Sequence, residues 1–201
     1  MNPAFEWLGV QPYPKIWQKM KTHASLLAAA QVNEVVWACE HEPIYTTGKR
    51  AIDNRLDNAL PAPLIVSDRG GETTFHGRGQ VMLYPMIHLR RRGLTIRQYI
   101  HLLEESAIQT LSKYDIKTAR RCGLPGVWTN KGKIVAMGIR ISQGVAYHGM
   151  AMNMAVDMTY FSAINPCGLG QKTVNMQDSL DALPTTQQLA KTWFGSLHGL
   201  L

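Results

Sequence analysis

The chain has 201 residues, 45% of them hydrophobic and 17% charged, with a formal net charge of +7. This length and apolar content suit a single domain, residues 1–201, with a sizeable core. No stretch approaches the roughly 18 consecutive apolar residues that a transmembrane helix needs, which argues against a membrane span. The first residues lack a basic region followed by an apolar run, so we expect no secretory signal and a cytoplasmic protein.

The first half of the chain mixes helical and strand patterns. Residues 11–31 are rich in helix formers and predict a helix, and NEVVWACE, at 33–40, predicts a strand from its short apolar run. The polar, turn-rich stretch TTGKRAIDNRLDNALPAP, at 46–63, predicts a long surface loop. LIVSD, at 64–68, predicts another strand, which leads into the glycine-rich segment DRGGETTFHGRGQ and then an apolar run.

Two later helices have clear start signals. Thr95 and Gln98 form a capping-box pattern, in which the hydroxyl accepts from the third backbone N–H and the amide side chain reaches back to the cap. Apolar residues then recur every three or four positions to about Lys113, namely Ile96, Ile100, Leu103, Ala107 and Leu111. Thr185 and Gln188 begin a second amphipathic helix with the stripe Leu189, Trp193 and Leu197.

Strand patterns fill the space between these two helices. GVWTN, KIVAMGIRIS and VAYHGMAMNMAV each predict a strand, and glycine-containing turns separate them. Strands with helices before, between and after them predict a mixed α/β (α+β) domain.

Nucleotide and metal motifs are missing. TTGKR has Pro43 where a phosphate-binding loop requires its first glycine, NKGKI has Val127 there, and HGRGQ lacks the last glycine of the dinucleotide fingerprint. The three cysteines, Cys39, Cys122 and Cys167, form an odd set without close spacing, which argues against a disulfide framework and a zinc site. We therefore expect no metal and no cofactor.

The segment DRGGETTFHGRGQ, at 68–80, is unusual for a simple connection. Gly70 and Gly71 allow a ligand to approach the backbone, and Phe75 supplies an apolar wall beside several polar side chains, those of Arg69, Thr73, Thr74 and His76. This composition predicts a pocket for an apolar tail that ends in a polar head. The alternative is a hairpin connection whose glycines only satisfy positive φ angles.

Cys167 lies in INPCGLG, between a proline and a glycine that favour an accessible turn. A free thiol titrates near 8.5, so a nucleophilic cysteine needs a nearby cation to stabilise its thiolate. The candidate cations are Lys133, Lys172, Arg140 and His76. From these residues alone, an inert buried cysteine remains an open alternative.

Four stretches together resemble one known family. DRGGETTFHGRGQVMLYP, GKIVAMGIRIS, YHGMAMNM and INPCGL, in this order, resemble the octanoyltransferases of lipoate biosynthesis, over most of the chain from about Val35 to Leu169. The resemblance implies the biotin/lipoate protein ligase-like fold, with a mixed sheet flanked by helices. It also implies an acyltransferase that moves an octanoyl group from octanoyl-acyl carrier protein to a lysine of a lipoyl domain through a cysteine thioester.

The resemblance also implies roles for particular residues. Cys167 matches the acyl-thioester nucleophile, and Lys133 matches the lysine that lowers the pKa of that thiol. The other matching positions are substrate-binding residues in three groups: Arg69, Gly70, Gly71, Glu72, Thr73, Thr74, Phe75 and His76; Ala136, Met137 and Gly138; and Gly149, Met150 and Ala151. Two positions depart from the family pattern: Arg78 replaces a proline, and Phe75 replaces a frequent tyrosine.

The implied acceptors are lipoyl domains of 2-oxoacid dehydrogenases and the glycine cleavage H protein, with no nucleic acid or membrane partner. Basic stretches such as HLRRRG, ARRCG and NKGK suit an acidic partner such as acyl carrier protein. Three other readings stay open: an ATP-dependent lipoate or biotin ligase on the same fold, a nucleic-acid-binding module that uses the basic stretches, and a structural scaffold.

Overall fold

The computed structural model describes residues 2–48, 60–164 and 172–201. This part of the chain contains ten strands, four helices and one 3-10 turn at Met176–Asp178. The strands are β1 (Ala4–Gln11), β2 (Val35–His41), β3 (Ile44–Gly48), β4 (Leu64–Ser67), β5 (Thr74–His76), β6 (Gln80–His88), β7 (Ala119–Arg121), β8 (Leu124–Trp128), β9 (Lys133–Ser142) and β10 (Val145–Asn153). The helices are α1 (Tyr13–Ala28), α2 (Ile96–Ser112), α3 (Thr159–Ser162) and α4 (Thr186–His198). None of the helices in these ranges is long and apolar enough to span a bilayer.

The strands form two sheets. The larger has seven strands in the order β1-β2-β6-β10-β9-β8-β7, and the smaller has three in the order β4-β3-β5. Within the larger sheet β1 and β2 are parallel, because α1 connects them, and every other neighbouring pair is antiparallel. The sheet is therefore mixed and flanked by helices, as the sequence predicts.

Both faces of the larger sheet are covered. One face packs against α2 and α4 in a core that includes Leu83, Met150 and Trp193. The other face packs against α1, whose Ile16, Met20 and Leu27 lie in a second core. Because the sheet is covered on both sides, β6 and β10 are buried along their whole length. Most of their residues are apolar, and the buried polar residues Gln80, His148 and Asn153 have hydrogen-bond partners.

The smaller sheet corrects one prediction. The stretch at 46–63 is not entirely a surface loop, because Thr46, Thr47 and Gly48 form the end of the buried strand β3. The prediction was wrong because these residues are polar, and polar residues were taken to be exposed. In the structure both hydroxyls are buried with partners: Arg69 donates to the Thr46 hydroxyl, and Thr73 donates to that of Thr47. Residues 49–59 lie outside the described part of the chain.

The capping boxes at Thr95 and Thr185 are confirmed, and both helices start where the sequence predicts. The stripe of α4 is also confirmed, since Leu189, Trp193 and Leu197 are fully buried. The stripe of α2 differs at its first turn, where Ile96 is 53% exposed and Tyr99 is buried instead. The tyrosine fits the core because its hydroxyl donates to the Pro85 carbonyl at 3.3 Å.

One buried and one exposed position of α2 allow a direct test of this packing. Replacing Leu103 with alanine should lower the free energy of unfolding by about 2–5 kcal/mol, because it leaves a cavity in a fully buried position. Replacing the exposed Ile96 with alanine on the same helix should change it by less than about 0.5 kcal/mol. Urea unfolding followed by circular dichroism measures both, and equal losses would contradict the packing described here.

Candidate active site

A pocket of about 260 Å³ lies on the α1 face of the larger sheet, beside the glycine-rich segment. Its open side is formed by Gly123 and Pro125 of the β7–β8 hairpin, which are exposed. Its far side is formed by Tyr13, Met82 and Tyr84, which are each at most 3% exposed. The pocket thus runs from the protein surface into the space between α1 and the sheet.

Small residues form the floor of this pocket. Ala136 of β9 pairs with Ala151 of β10, and Gly138 pairs with Gly149. A side chain at Gly138 would come within 2.7 Å of the Gly70 carbonyl oxygen, so the glycine is needed where the glycine-rich segment crosses the strand. The Gly70 N–H donates to the Ile139 carbonyl at 2.9 Å, which fixes the segment against β9.

The structure brings most of the predicted site residues together around this pocket. Those that line it are Arg69, Gly71, Glu72, Thr73, Thr74, His76, Lys133, Ala136, Met137, Gly138, Gly149, Met150 and Ala151. Met137 and Met150 have side chains that pack into the core on the opposite face of the sheet. Gly70 does not line the pocket, and neither does Phe75, which stacks on Tyr160 with ring centroids 4.2 Å apart.

Cys167 lies outside the described residues, and so do the other residues between Ile164 and Lys172. Phe161 and Thr173, described residues on either side of that segment, both line the pocket. The two other cysteines are described. Cys39 is fully buried, and burial raises the pKa of its thiol, whereas Cys122 is exposed beside the pocket opening.

Lys133 begins β9 at the open end of the pocket. Its ammonium lies over the ring of Trp128, 4.6 Å from the ring centroid, and Trp128 is also its partner in the β8–β9 pair. The backbone of Lys133 bonds on its other side to the strand-like segment after residue 171, since its N–H donates to Lys172 and its carbonyl accepts from Val174. A cation therefore lines the pocket on the strand that bonds to the described residues Lys172 and Val174.

Arg69 is the buried cation of the site. Its guanidinium donates to the Thr46 hydroxyl at 2.9 Å and to the carbonyls of Thr46 and Glu72 at 2.5 and 2.7 Å. Burial lowers the pKa of this arginine, and Arg69 takes part in none of the ion pairs within the described ranges. Its role in the fold is thus to tie the glycine-rich segment to β3 through neutral acceptors.

A chain of hydrogen bonds runs from Arg69 across the end of the pocket. The Thr46 hydroxyl accepts from Arg69 and lies 3.0 Å from His76 Nε2, while His76 Nδ1 lies 2.8 Å from Oε1 of the Gln80 side chain. Because the Gln80 amide group donates to Asn153, its oxygen accepts from His76 Nδ1, so Nε2 of a neutral His76 accepts from Thr46. Burial and the nearby His41 and Arg69 lower the pKa of His76 well below its ordinary value, consistent with this neutral form.

Asp68 is a site residue that the sequence did not single out. Its carboxylate accepts from Trp17 of α1 at 2.7 Å, from His148 at 2.8 Å and from the Tyr147 hydroxyl. Burial opposes ionisation, but the hydrogen bonds from His148, Tyr147 and Trp17 hold the pKa of Asp68 below its usual range. The pKa of His148 is also below its ordinary value, in this case because of burial. At neutral pH Asp68 is therefore a carboxylate and His148 a neutral imidazole.

The backbone at His148 makes this arrangement possible. Adjacent residues of a strand normally point to opposite faces, but His148 has a positive φ of 58°. This unusual angle allows Tyr147 and His148 both to reach Asp68, with their rings stacked at 5.1 Å. Asp68 therefore joins the glycine-rich segment to α1 and β10 at once.

The residues of the far side of the pocket, Tyr13, Met82 and Tyr84, were not among the predicted site residues either. Tyr13 stacks on His76 with centroids 5.9 Å apart, and the Tyr84 hydroxyl donates to His41 Nε2 at 2.8 Å. His41 Nδ1 donates to the Gln11 carbonyl, and burial lowers the pKa of His41 to about 4. Tyr84 has no period-2 signal in the sequence, because every residue of β6 is buried.

Sequence comparison places the chain among known proteins. Residues 15–197 match the family described as the lipoyl protein ligase A/B catalytic domain. A Bordetella petrii octanoyltransferase is 44% identical over 82% of this chain and 80% of its own length. An octanoyltransferase of Burkholderia multivorans is 38% identical over 92% of this chain and 77% of its own length.

Solved structures share the fold. A lipoate-protein ligase A bound with ATP superposes with a TM-score of 0.73 at 13% identity, over 98% of this chain and 86% of the ligase. A biotin protein ligase from Aquifex aeolicus gives a TM-score of 0.56 at 10% identity, over 100% of this chain and 69% of that protein. The predicted biotin/lipoate protein ligase-like fold is thus confirmed. The chain belongs to the lipoyl protein ligase A/B catalytic-domain family and, by its sequence identity, to the octanoyltransferases within it.

Proposed function

We propose that this octanoyltransferase takes its acyl group from octanoyl-acyl carrier protein, holds it as a thioester on Cys167, and transfers it to a lysine of a lipoyl domain. The proposed acceptors are the lipoyl domains of 2-oxoacid dehydrogenases and the glycine cleavage H protein. The observation that carries this proposal is the position of Lys133, which lies at the open end of an apolar pocket floored by Ala136 and Ala151.

The pocket suits a medium-length acyl chain. Each buried methylene stabilises the complex by roughly 0.8 kcal/mol, so the six methylenes of an octanoyl chain would contribute about 5 kcal/mol. The residues of the glycine-rich segment that line the pocket would cover the chain, with Gly71 allowing close approach of the backbone and Thr73 and Thr74 supplying hydroxyls. Ala136 and Gly138 with Gly149 and Ala151 would contact the chain from below, because larger side chains there would fill the pocket.

The first half of the reaction needs a thiolate. In this mechanism the Lys133 ammonium stabilises the Cys167 thiolate, which attacks the thioester carbonyl of the donor. The bond between the carbonyl carbon and the donor sulfur breaks as the new thioester forms. The departing thiolate takes a proton from Lys133, which leaves a neutral amine beside the acyl-enzyme.

The second half uses that neutral amine. The lysine of the lipoyl domain attacks the thioester and forms an amide, and Lys133 accepts the proton that the attacking nitrogen must lose. The Cys167 thiolate is then regenerated beside the Lys133 ammonium. Because the donor thioester is already activated, this route requires no ATP, in contrast to a ligase that forms an adenylate.

The pocket opening is basic, which suits an acidic carrier protein. Arg121, Lys131 and Lys172 are exposed near it, and none of the three takes part in an ion pair in the described part of the chain. Positive charges at this position would raise the rate of encounter with an acidic donor. We also propose that residues 1–201 act as one catalytic domain and that the reaction takes place in the cytoplasm, where thiols stay reduced.

The first prediction concerns the covalent intermediate. Incubation with octanoyl-acyl carrier protein in the absence of ATP should add one octanoyl group to the protein, and a lipoyl domain should then remove it. Intact-mass spectrometry measures both steps. Cys167→Ala should form no adduct, whereas Cys122→Ala, which removes the exposed thiol near the pocket opening, should form it at the normal rate. An unmodified protein that forms no adduct, or an adduct that persists in Cys167→Ala, would contradict the mechanism.

The second prediction concerns Lys133. In Lys133→Ala the pH midpoint for alkylation of Cys167 by iodoacetamide should rise towards about 8.5, the value of a free cysteine, because the stabilising cation is gone. Peptide mass spectrometry reports the alkylation of each cysteine separately, so Cys122 is an internal reference whose profile should not change.

Lys131→Ala is the matched control, because it removes an exposed amine two residues away. It should leave the Cys167 midpoint where it is in the unmodified protein. A Cys167 midpoint that stays unchanged in Lys133→Ala would show that another group activates the thiol.

A further inference from the structure

A row of side chains crosses the larger sheet along the pocket. Ala136 of β9 lies opposite Ala151 of β10, and Ala151 lies opposite Met82 of β6. Met82 in turn lies opposite Cys39 of β2. Since neighbouring strands are about 4.8 Å apart, the distance from Ala136 to Met82 across the sheet is about 10 Å. The first two side chains are single methyl groups, and the third is a long thioether.

The row also runs from the open end of the pocket to its closed end. Ala136 is partly exposed, and Ala151 and Met82 are each 3% exposed. All three line the pocket, but Cys39, the next residue in the row, is fully buried and does not. The pocket therefore stops at Met82, and the space behind that side chain is occupied by Cys39 and the core beneath α1.

The other two residues of the far wall are held by polar or aromatic partners. The Tyr84 hydroxyl donates to His41, and Tyr13 packs edge-on against His41 with centroids 5.3 Å apart and stacks on His76. Met82 belongs to the apolar cluster that also contains Tyr84, Met86 and Ala151, and within the described ranges its thioether takes part in none of the hydrogen bonds that hold the two tyrosines and their histidine partners. A methionine side chain is flexible and adapts its shape, so it is the part of this wall that can yield to a longer chain.

We propose that Met82 sets the length of the acyl chain that the enzyme transfers, by ending the row that begins at Ala136. This inference rests on the proposed function, in which the pocket holds the octanoyl chain. The chain lies over Ala136 and Ala151 and its terminal methyl group contacts the Met82 side chain. Removing that side chain extends the row to Cys39 and makes room for additional methylenes.

The test is a comparison of chain-length profiles. The kcat/KM for transfer to a lipoyl domain is measured with octanoyl-, decanoyl- and dodecanoyl-acyl carrier protein. In Met82→Ala the ratio of decanoyl to octanoyl transfer should rise by about tenfold, the discrimination typical of one or two methylenes in an apolar pocket. Where Met82→Ala does not fold, Met82→Val removes less volume and should shift the ratio in the same direction.

Met86→Ala is the matched control. Met86 lies on the same strand and face, is fully buried, and does not line the pocket, so its loss weakens the core without lengthening the row. Its profile should match that of the unmodified enzyme. An unchanged ratio in both Met82 variants, or an equal change in Met86→Ala, would overturn the role of Met82. Failure of the unmodified enzyme to transfer octanoyl groups would instead overturn the proposed function.

Discussion

The antiparallel register of β9, β10 and β6 is the constraint on which the site depends. It places Ala136, Ala151 and Met82 in one line across the sheet and brings Gly138 beside Gly149. A shift by one residue would turn every one of these side chains to the other face, because side chains alternate along a strand. The pocket would then be filled by methionines, since Met137 and Met150 occupy the intervening positions. The register is held from both sides by the cores against α1 and against α2 and α4.

Hydrogen bonds between polar groups hold the glycine-rich segment in place over the sheet. Asp68 fastens the start of the glycine-rich segment to α1 and β10, and Gly70 bonds to β9 directly after it. From Arg69 a continuous chain of hydrogen bonds passes through Thr46 and His76 to Gln80 and Asn153. Asn153 in turn donates to the Val174 carbonyl, next to Thr173, which lines the pocket. The covering segment and the strand beside Lys133 are thus connected through buried, satisfied groups, which favours a single conformation of the pocket.

The sequence predicts the helices and strands better than it predicts the contacts between them. The capping boxes at Thr95 and Thr185 are local signals, so the helix starts were correct. The role of Asp68 was not predicted, because its hydrogen-bond partners are 51 to 80 residues away in sequence and meet it only in the folded chain. Met82 and Tyr84 lie in a run in which every residue is buried, and such a run gives no sign of which residues face a pocket. Thr46 and Thr47 were assigned to a loop because their buried partners come from distant segments as well.

Some site residues could be predicted from the sequence for a physical reason. Glycines at 70, 71, 138 and 149 mark places where two backbones meet or a ligand approaches, and three of these four line the pocket. Phe75 shows the limit of such reasoning, because its ring packs beneath the segment against Tyr160 and not on the pocket side. The role of Cys167 depends on its surroundings in the fold, and it lies in the part of the chain that the structure does not describe.

The most direct measurement is a crystal structure of the enzyme after incubation with octanoyl-acyl carrier protein. The account predicts a thioester on Cys167 close to the Lys133 ammonium, with the acyl chain lying over Ala136 and Ala151 and ending at Met82. A chain bound elsewhere, or an octanoyl group attached to another residue, would contradict it.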